Sequence, residues 1–285
     1  MTVHREASVV QPPHQINQMD VRQVRDVAGI SYLQAGNPAA TPILFLHGIG
    51  GAADAFAPQL DHFGRDYRAI AWNMPGYAHS APLPLVTMAA LAASLAGFIE
   101  ALGLDRPILV GHSIGGMVVQ RLVAEAPQIA RALVLAQTSA VFGSRDPAWA
   151  EAFIEARLGP LDAGKSVADI APDSIRDLVG ENADPAGIAR ALECMQAVPD
   201  STYRDMVLAM PGFDGRDALP RIAVPTLVLA GSADRNAPPS GMERMAARIP
   251  GARYAVLEDV GHLAYAEQPQ RFNEAVGQFL REALR

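Results

Sequence analysis

The chain has 285 residues, of which 50% are hydrophobic and 19% are charged, so a largely disordered chain is excluded. This length suits one large α/β domain or two smaller ones. A formal net charge of −7, with no local cluster of Lys and Arg, disfavours nucleic acid and anionic membrane surfaces as partners.

Cysteine usage and hydropathy predict the compartment. Cys194 is the only cysteine, so no intrachain disulfide can form and a reducing compartment is expected. The first residues lack the apolar stretch of a signal peptide, and no segment has the ~18 apolar residues of a membrane helix. We therefore predict a soluble cytoplasmic protein without a membrane partner. Residues 1–20 are interpreted as a polar N-terminal arm, either a disordered tail or a segment that packs on a partner subunit of a homo-oligomer.

Short apolar runs bounded by Gly, Pro or charged residues predict the strands. Val21–Val27 and Ile30–Ala35 alternate around Ala28-Gly29, which is typical of a β-hairpin. Further runs are Ile43–Leu46, Tyr67–Trp72, Ile108–Val110, Ala132–Ala136, Thr226–Ala230 and Tyr254–Leu257. Continuous apolar runs indicate strands that are buried on both faces, as in a parallel sheet covered by helices.

Helical stretches separate most of these strands. They begin or end at capping signals, such as Thr87 before one helix and Gly103 after it. The predicted helices are Thr87–Leu102, Ile114–Ala126, Gly241–Arg248 and Ala266–Leu284. This alternation predicts an α/β fold with a mostly parallel, doubly wound sheet.

The alternation stops between Ala136 and Thr226, in a stretch too long for an ordinary loop. We interpret residues 138–215 as an inserted helical cap, and residues 21–137 and 216–285 as one core domain. Large apolar side chains in the cap predict a mostly apolar pocket. They are Trp149, Phe153, Met195, Met206, Met210 and Phe213.

The motif GHSIGG at residues 111–116 directly follows a predicted strand and directly precedes a predicted helix. This is the context of a nucleophile elbow, in which a serine stands on a sharp turn with its hydroxyl exposed. Side chains at Gly111 and Gly115 would collide with the neighbouring strand and helix in such a turn. Ser113 is therefore the predicted nucleophile.

A serine nucleophile needs a base within hydrogen-bond reach and an acid that orients the base. His262 is the predicted base, because it follows the last predicted strand and because this fold orders its triad as Ser, acid and His. The remaining histidines all precede Ser113: His4, His14, His47, His62, His79 and His112. The side chain of His112 is expected to point away from the neighbouring hydroxyl.

The acid is expected after a strand between Ser113 and His262. Asp234 follows the run Thr226–Ala230 and is the predicted acid, whose carboxylate would fix the imidazole tautomer and stabilise the imidazolium. Glu258 and Asp259 are rivals, because they lie close to His262 in the sequence.

A second glycine-rich loop, HGIGG at residues 47–51, follows the strand Ile43–Leu46. Such a loop supplies one backbone N–H of an oxyanion hole, and the residue after the nucleophile supplies another. The predicted donors are the amides of Ile49 and Ile114, with Gly48 permitting close approach and His47 holding the loop. The spacing fits neither nucleotide-binding motif of the GxxxxGK[ST] or GxGxxG type. We found no metal-ligand cluster, so neither a metal nor a cofactor is expected.

Five motifs in this order resemble the α/β-hydrolase superfamily. They are HGIGG at 47–51, MPGYAHS at 74–80, GHSIGG at 111–116, GSADRNAP at 231–238 and GHLAYAEQP at 261–269. The resemblance covers the whole core and implies the α/β-hydrolase fold. Within the superfamily the chain is similar to bacterial 3-oxoadipate enol-lactonases, small-ester hydrolases and meta-cleavage-product C–C hydrolases.

Three positions depart from the pattern of those proteins. Asn73 stands where the family usually has Asp, and Ala78 stands where it usually has Gly. Both are expected in a turn near the edge of the sheet, away from the triad. Leu263 follows the predicted base, whereas many C–C hydrolases carry Trp there, so the resemblance favours the lactonase-like members.

The expected substrate is a small ester or lactone with an apolar part, cleaved through an acyl-enzyme. Cleavage of a C–C bond in a dienoic ketoacid is the alternative. A non-catalytic small-molecule receptor and a cofactor-free dioxygenase are alternatives from other classes on the same fold. Four arginines are candidates for binding a substrate carboxylate, although a solvated helix face is the simpler interpretation for each: Arg145, Arg157, Arg190 and Arg204.

Overall fold

The computed structural model describes residues 24–143 and 147–284, so the predicted arm and the first residues of the predicted hairpin lie outside the described part. Within that part the chain forms ten strands. In chain order they are β1 (Arg25–Val27), β2 (Ile30–Ala35), β3 (Pro42–Leu46), β4 (Arg68–Trp72), β5 (Ile108–His112), β6 (Ala132–Ala136), β7 (Val141–Phe142), β8 (Phe213–Asp214), β9 (Thr226–Gly231) and β10 (Arg253–Leu257).

Eight of these strands form one sheet in the order β1-β2-β4-β3-β5-β6-β9-β10. The pairs β1–β2 and β2–β4 are antiparallel, and the remaining pairs are parallel. Every residue of β3, β5, β6 and β9 is buried, as continuous apolar strands require when helices cover both faces. The prediction of a mostly parallel, doubly wound α/β sheet is confirmed.

Helices cover the sheet and fill the stretch interpreted as a cap. In chain order they are α1 (Ala57–Phe63), α2 (Met88–Ala101), α3 (Ile114–Glu125), α4 (Pro147–Asp162), α5 (Val167–Leu178), α6 (Pro185–Gln196), α7 (Asp200–Ala209), α8 (Pro239–Ala246), α9 (Ala264–Glu267) and α10 (Pro269–Ala283). None of these helices is long and apolar enough to cross a lipid bilayer.

Helices α4 to α7 lie between β6 and β9, within residues 138–215. This stretch is not wholly helical, because β7 and β8 pair with each other near its two ends. A Cβ at Gly187 of α6 would lie 1.9 Å from the carbonyl oxygen of Ala266, so this helix touches the backbone of α9. The division into a core and a cap domain is retained as a proposal.

The predicted single helix Ala266–Leu284 is wrong, because two helices occupy this stretch. Helix α9 ends at Glu267 and α10 begins at Pro269. Proline lacks the N–H that would continue the helix, and it forces the preceding residue away from helical dihedrals. Gln268 accordingly has φ −141° and ψ 64°.

The register of the parallel strands brings several loops to one edge of the sheet. Leu46 at the end of β3 pairs with Gly111 of β5, and Gly111 pairs with Leu135 of β6. Gly231 at the end of β9 pairs with Leu257 at the end of β10. The loops that follow β3, β5, β6, β9 and β10 therefore leave the sheet side by side, at the carboxyl edge where α/β folds bind ligands.

Candidate active site

Ser113 stands between the last residue of β5 and the first residue of α3 with φ 53° and ψ −124°. This pair of angles lies outside the left-handed helical region, and a strained backbone of this kind costs on the order of 1–3 kcal/mol and is found preferentially at functional sites. The turn depends on the glycines two residues before Ser113 and two residues after it. A Cβ at Gly111 would lie 2.6 Å from the Cα of Gly116, and one at Gly115 would lie 2.5 Å from the carbonyl oxygen of Leu46.

A chain of hydrogen bonds joins the three predicted triad residues. Nε2 of His262 lies 3.0 Å from Oγ of Ser113, and Nδ1 of His262 lies 2.8 Å from Oδ2 of Asp234. The three side chains come from loops after β5, β9 and β10. The two rivals for the acid, Glu258 and Asp259, are exposed and make no hydrogen bond to His262.

The Asp234 carboxylate is held in its ionised form. It is 4% exposed, and its Oδ1 accepts hydrogen bonds from the N–H groups of Asn236 at 2.8 Å and Ala237 at 3.0 Å. Burial raises the pKa of Asp234, but the charge of His262 and these hydrogen bonds outweigh it, so the pKa is below its usual range. An ionised Asp234 accepts the Nδ1–H of His262, which leaves Nε2 free to accept a proton from Ser113.

The first glycine-rich loop lies next to the nucleophile. A Cβ at Gly48 would lie 3.2 Å from the Cβ of Ser113 and 2.9 Å from Nδ1 of His112. His47 holds this loop, because its Nδ1 donates to the carbonyl of Gly48 at 2.8 Å and its Nε2 accepts from the N–H of Met74 at 3.0 Å. Burial lowers the pKa of His47 to about 4, so the ring is neutral at pH 7.

The two residues predicted to supply oxyanion-hole amides lie beside Ser113. Ile49 lines the same cavity as Ser113, and its carbonyl accepts a hydrogen bond from the hydroxyl of Tyr77 at 2.6 Å. Ile114 is the first residue of α3, where backbone N–H groups have no acceptor within the helix. An anion beside Ser113 would also face the positive end of this helix.

His112 has a role that the sequence did not reveal. Its Nε2 donates to the backbone carbonyl of His262 at 2.8 Å, and its ring packs 5.0 Å from the ring of His262. The ring makes no hydrogen bond to the hydroxyl of Ser113, in line with the expectation that it points elsewhere. Burial lowers the pKa of His112 to about 3, so this residue is a neutral support for the loop of the predicted base.

Glu267 is a second residue that the sequence analysis missed. Its side chain is buried, and its carboxylate accepts 2.8 Å hydrogen bonds from the N–H groups of Gly180, Gly261 and Leu263. Two of these donors flank His262, whose own N–H donates to the carbonyl of Leu178 at 2.7 Å. The sequence did contain a signal for this role, since Glu267 is a charged residue among apolar neighbours shortly after His262. A carboxylate that is buried in such a segment needs several hydrogen-bond donors around it.

The first two departures from the family pattern have structural counterparts. Asn73 follows β4, which is an interior strand, so its expected place near the sheet edge is wrong. Its Oδ1 accepts from the N–H of Ala53 at 2.7 Å, and its Nδ2 donates to Oγ of Ser31 at 2.9 Å. A carboxylate could accept the first bond but could not donate the second. Ala78 has φ 48°, a conformation that favours glycine.

A cavity of about 710 Å³ opens beside Ser113 and His262. Most of the large side chains around it are apolar or aromatic, and they come from both the core and residues 138–215. Of the predicted apolar cap residues, Trp149, Phe153, Met195 and Met210 line it. Met206 and Phe213 are buried elsewhere.

The structure separates the candidate arginines. Arg157 of α4 lines the cavity. Arg204 of α7 forms an ion pair with Asp162 at 2.6 Å, and Arg190 does not line the cavity. Arg145 lies outside the described residues. Within residues 24–143 and 147–284, no three His, Cys, Asp or Glu side chains lie close enough together to hold a metal ion.

Comparison with known proteins identifies the family. Residues 41–269 match the family model described as alpha/beta hydrolase fold, so the chain belongs to the α/β-hydrolase family, as the motifs predicted. A solved structure of a thermophilic esterase from Thermogutta terrifontis superimposes with a TM-score of 0.82 at 26% identity, covering 92% of this chain and 99% of that one.

Curated relatives carry several different names. The chain is 29% identical over 250 residues to polyketide synthase ThaQ from Burkholderia thailandensis, covering 85% of this chain but spanning only 12% of that protein. It is 28% identical to the putative carbamate hydrolase RutD of Stutzerimonas stutzeri, and the match covers 86% of this chain and 93% of that protein. It is 25% identical to 3-oxoadipate enol-lactonase 2 of Acinetobacter baylyi, and the match covers 90% of this chain and 94% of that protein. The two of these relatives that match over most of their length are named as a hydrolase and a lactonase.

Proposed function

We propose that the protein hydrolyses a small carboxylic ester or lactone through an acyl-enzyme on Ser113. The hydrogen-bonded chain from Ser113 through His262 to Asp234, beside a cavity with many apolar and aromatic side chains, is the observation that carries this proposal. An esterase and an enol-lactonase among the similar proteins support the same class of substrate.

In the acylation half-reaction, Oγ of Ser113 attacks the carbonyl carbon while Nε2 of His262 takes the hydroxyl proton. The carbonyl oxygen becomes an oxyanion, which the amides of Ile49 and Ile114 stabilise, and each such donor contributes on the order of 3 kcal/mol. The tetrahedral intermediate then collapses. His262 gives its proton to the leaving oxygen, which departs as an alcohol or, from a lactone, stays tethered to the acyl group.

In the deacylation half-reaction, water takes the place of the alcohol. Nε2 of His262 accepts a proton from this water, whose oxygen attacks the acyl carbon. Collapse of the second tetrahedral intermediate returns the proton to Oγ of Ser113 and releases the carboxylic acid. Asp234 stays ionised throughout and stabilises the imidazolium of His262 in both halves. The reaction as proposed uses no metal or cofactor.

A turnover screen over lactones, p-nitrophenyl esters and dienoic ketoacids tests this proposal. Turnover of an ester or lactone is expected, and turnover of ketoacids alone would replace it with C–C bond hydrolysis. Oxygen consumption with a heteroaromatic substrate would instead indicate a dioxygenase. The cytoplasmic location and the oligomeric state stay predictions.

Covalent labelling separates a hydrolase from a non-catalytic receptor. A serine-directed fluorophosphonate is expected to label the wild-type protein at Ser113 and to leave Ser113→Ala unlabelled. The Ser113→Ala variant is also expected to lose several orders of magnitude of turnover, because triad members act as a unit. A protein that binds small molecules without reacting with the probe would be a receptor.

A further inference from the structure

Arg157 and Tyr203 are two polar side chains in the cavity wall that have no hydrogen-bond or ion-pair partner in the described part of the chain. Both line the cavity that contains Ser113, Arg157 from α4 and Tyr203 from α7. Among residues 24–143 and 147–284, no carboxylate lies within ion-pair distance of Arg157, and neither side chain makes a hydrogen bond. Arg204 of α7 provides the contrast, because its guanidinium is paired with Asp162 at 2.6 Å.

The surroundings of Arg157 keep its charge in the cavity. The guanidinium carbon lies 3.9 Å from the centre of the Phe153 ring, a cation–π contact that partly offsets desolvation. Burial lowers the pKa of Arg157, but arginine stays protonated at any physiological pH. Burial raises the pKa of Tyr203, and the nearby charge of Arg157 opposes that rise, so the hydroxyl is a neutral donor beside a cation.

The other charged groups around the cavity leave this charge uncompensated. Asp177 is 75% exposed and lies 3.7 Å from Arg176, so water and a neighbouring cation screen it. Arg235 is exposed on the loop after β9. A partly buried cation without a counter-charge is costly, and an anionic ligand would remove that cost.

Resting on the proposed hydrolysis, we propose that Arg157 and Tyr203 form a subsite for a carboxylate, so that the substrates are esters or lactones carrying one carboxylate group. A guanidinium matches the two oxygens of a carboxylate with two parallel N–H donors, and the tyrosine hydroxyl supplies a third donor. One positive charge and one neutral donor fit a monoanion. The apolar remainder of the cavity would hold the rest of the acyl chain.

Direct binding tests the subsite without turnover. In calorimetric titrations of the Ser113→Ala protein, monomethyl glutarate is expected to bind about 10- to 100-fold more tightly than dimethyl glutarate, the range for hydrogen bonds between charged groups. Adding Arg157→Met is expected to abolish this preference, and adding Tyr203→Phe to reduce it. Adding Arg204→Gln instead is expected to preserve it. Equal binding of the two ligands, or a preference that survives Arg157→Met, would overturn the subsite.

A turnover comparison measures the same preference with the wild-type serine. The ratio of kcat/KM for the p-nitrophenyl monoester of glutaric acid to that for p-nitrophenyl pentanoate is expected to fall about 10- to 100-fold in Arg157→Met. An equal loss on both esters would contradict the subsite. If the wild type cleaves neither these esters nor any lactone while the binding preference holds, the hydrolytic proposal fails and the subsite stands.

Two further comparisons test which anionic group the subsite binds and which arginine binds it. Tighter binding of butyl phosphate than of monomethyl glutarate would overturn the assignment to a carboxylate. A preference lost in Arg235→Gln but kept in Arg157→Met would move the subsite to the loop after β9. Circular dichroism and thermal melting of each variant establish that a lost preference is not a loss of folding.

Discussion

Nε2 of His112 donates a hydrogen bond to the backbone carbonyl of His262 over 2.8 Å. The residue before the nucleophile thus holds the loop of the proposed base. The bond uses the neutral ring with its proton on Nε2, and Nδ1 of His112 is buried without a hydrogen-bond partner among the described residues. Protonation of this ring would bury a charge, which connects the site to the acid stability of the fold.

Folding stability is expected to fall steeply below pH 6.5. Burial lowers the pKa of His112 to about 3 and that of His47 to about 4, whereas both rings titrate near ~6.5 in an unfolded chain. The unfolded state therefore binds more protons as pH falls below 6.5. Each ring is expected to lower the free energy of unfolding by about 1.4 kcal/mol for every pH unit below ~6.5, until its folded-state pKa is reached.

Urea unfolding between pH 4.5 and 7 measures this slope. In His112→Gln the slope of the free energy of unfolding against pH is expected to decrease by about 1.4 kcal/mol per pH unit, because one of the two histidines with a lowered pKa is removed. His79→Gln, which changes an exposed ring, is the control and is expected to keep the wild-type slope. A wild-type stability that is flat across this range would contradict the neutral assignment of both buried rings.

Asp234→Asn is expected to lower kcat by up to about 10⁴-fold while the fold is retained. The amide has the size of the carboxylate but lacks the charge that stabilises the imidazolium, and it can favour the wrong tautomer of His262. Steady-state ester hydrolysis measures the loss. Asp259→Asn and Glu258→Gln are the controls and should behave like the wild type, because both side chains are exposed. If one of these controls is inactive and Asp234→Asn is active, the acid is misassigned.

Glu267→Gln is expected to lower kcat by about 10- to 100-fold with little change in KM. The amide nitrogen cannot accept, so at least one of the hydrogen bonds from Gly180, Gly261 and Leu263 becomes a contact between two donors. Leaving a buried N–H unpaired costs about 1–3 kcal/mol, which loosens the loop that carries His262.

The exposed Glu274 of α10 offers a matched control for Glu267. Glu274→Gln should change neither kcat nor the melting temperature. The rate of fluorophosphonate labelling is expected to fall in parallel with kcat for Glu267→Gln only. A variant that melts earlier but reacts at the wild-type rate would reduce Glu267 to a purely structural residue.

Gly115→Ala is expected to destabilise the protein by about 1–3 kcal/mol or to prevent folding. The added Cβ would lie 2.5 Å from the carbonyl oxygen of Leu46 and 2.8 Å from that of His47, and neither backbone group can rotate away. Gly97→Ala is the control, because a Cβ added at this exposed position of α2 would have no atom within 4 Å apart from its chain neighbours and the backbone of its own helix. It is expected to gain about 1 kcal/mol in urea unfolding through helix propensity. Equal effects would contradict the close approach at Gly115.

Local patterns were sufficient for most of the framework. Buried strands such as Ala132–Ala136 are continuous apolar runs, and the GHSIGG turn has glycines at fixed positions on both sides of its serine. Such features depend on neighbours in the chain, so their signal survives in a single sequence. The break between α9 and α10 was also encoded locally, by Pro269, and was overlooked.

Contacts between distant residues were not readable in the same way. Whether Asp234 or Asp259 reaches His262 depends on the register of β9 against β10, and the support from His112 and Glu267 depends on loops meeting at one edge of the sheet. The chemistry of a side chain can make it a candidate for such a role. Its position in the sequence, however, does not give its distance from His262 in space.

The sequence by itself determined the fold class, the positions of the buried strands and the turn that carries the proposed nucleophile, because each depends on steric and hydropathic rules acting over a few residues. The tertiary structure alone decided which cap arginine enters the cavity. Arg157 and Arg204 both lie on predicted helices, yet the packing of α4 against α7 pairs Arg204 with Asp162 of α4 and leaves Arg157 in the cavity wall beside Tyr203 of α7. The physical reason is that the environment of a charge is set by atoms far away in the chain, which a local pattern does not specify.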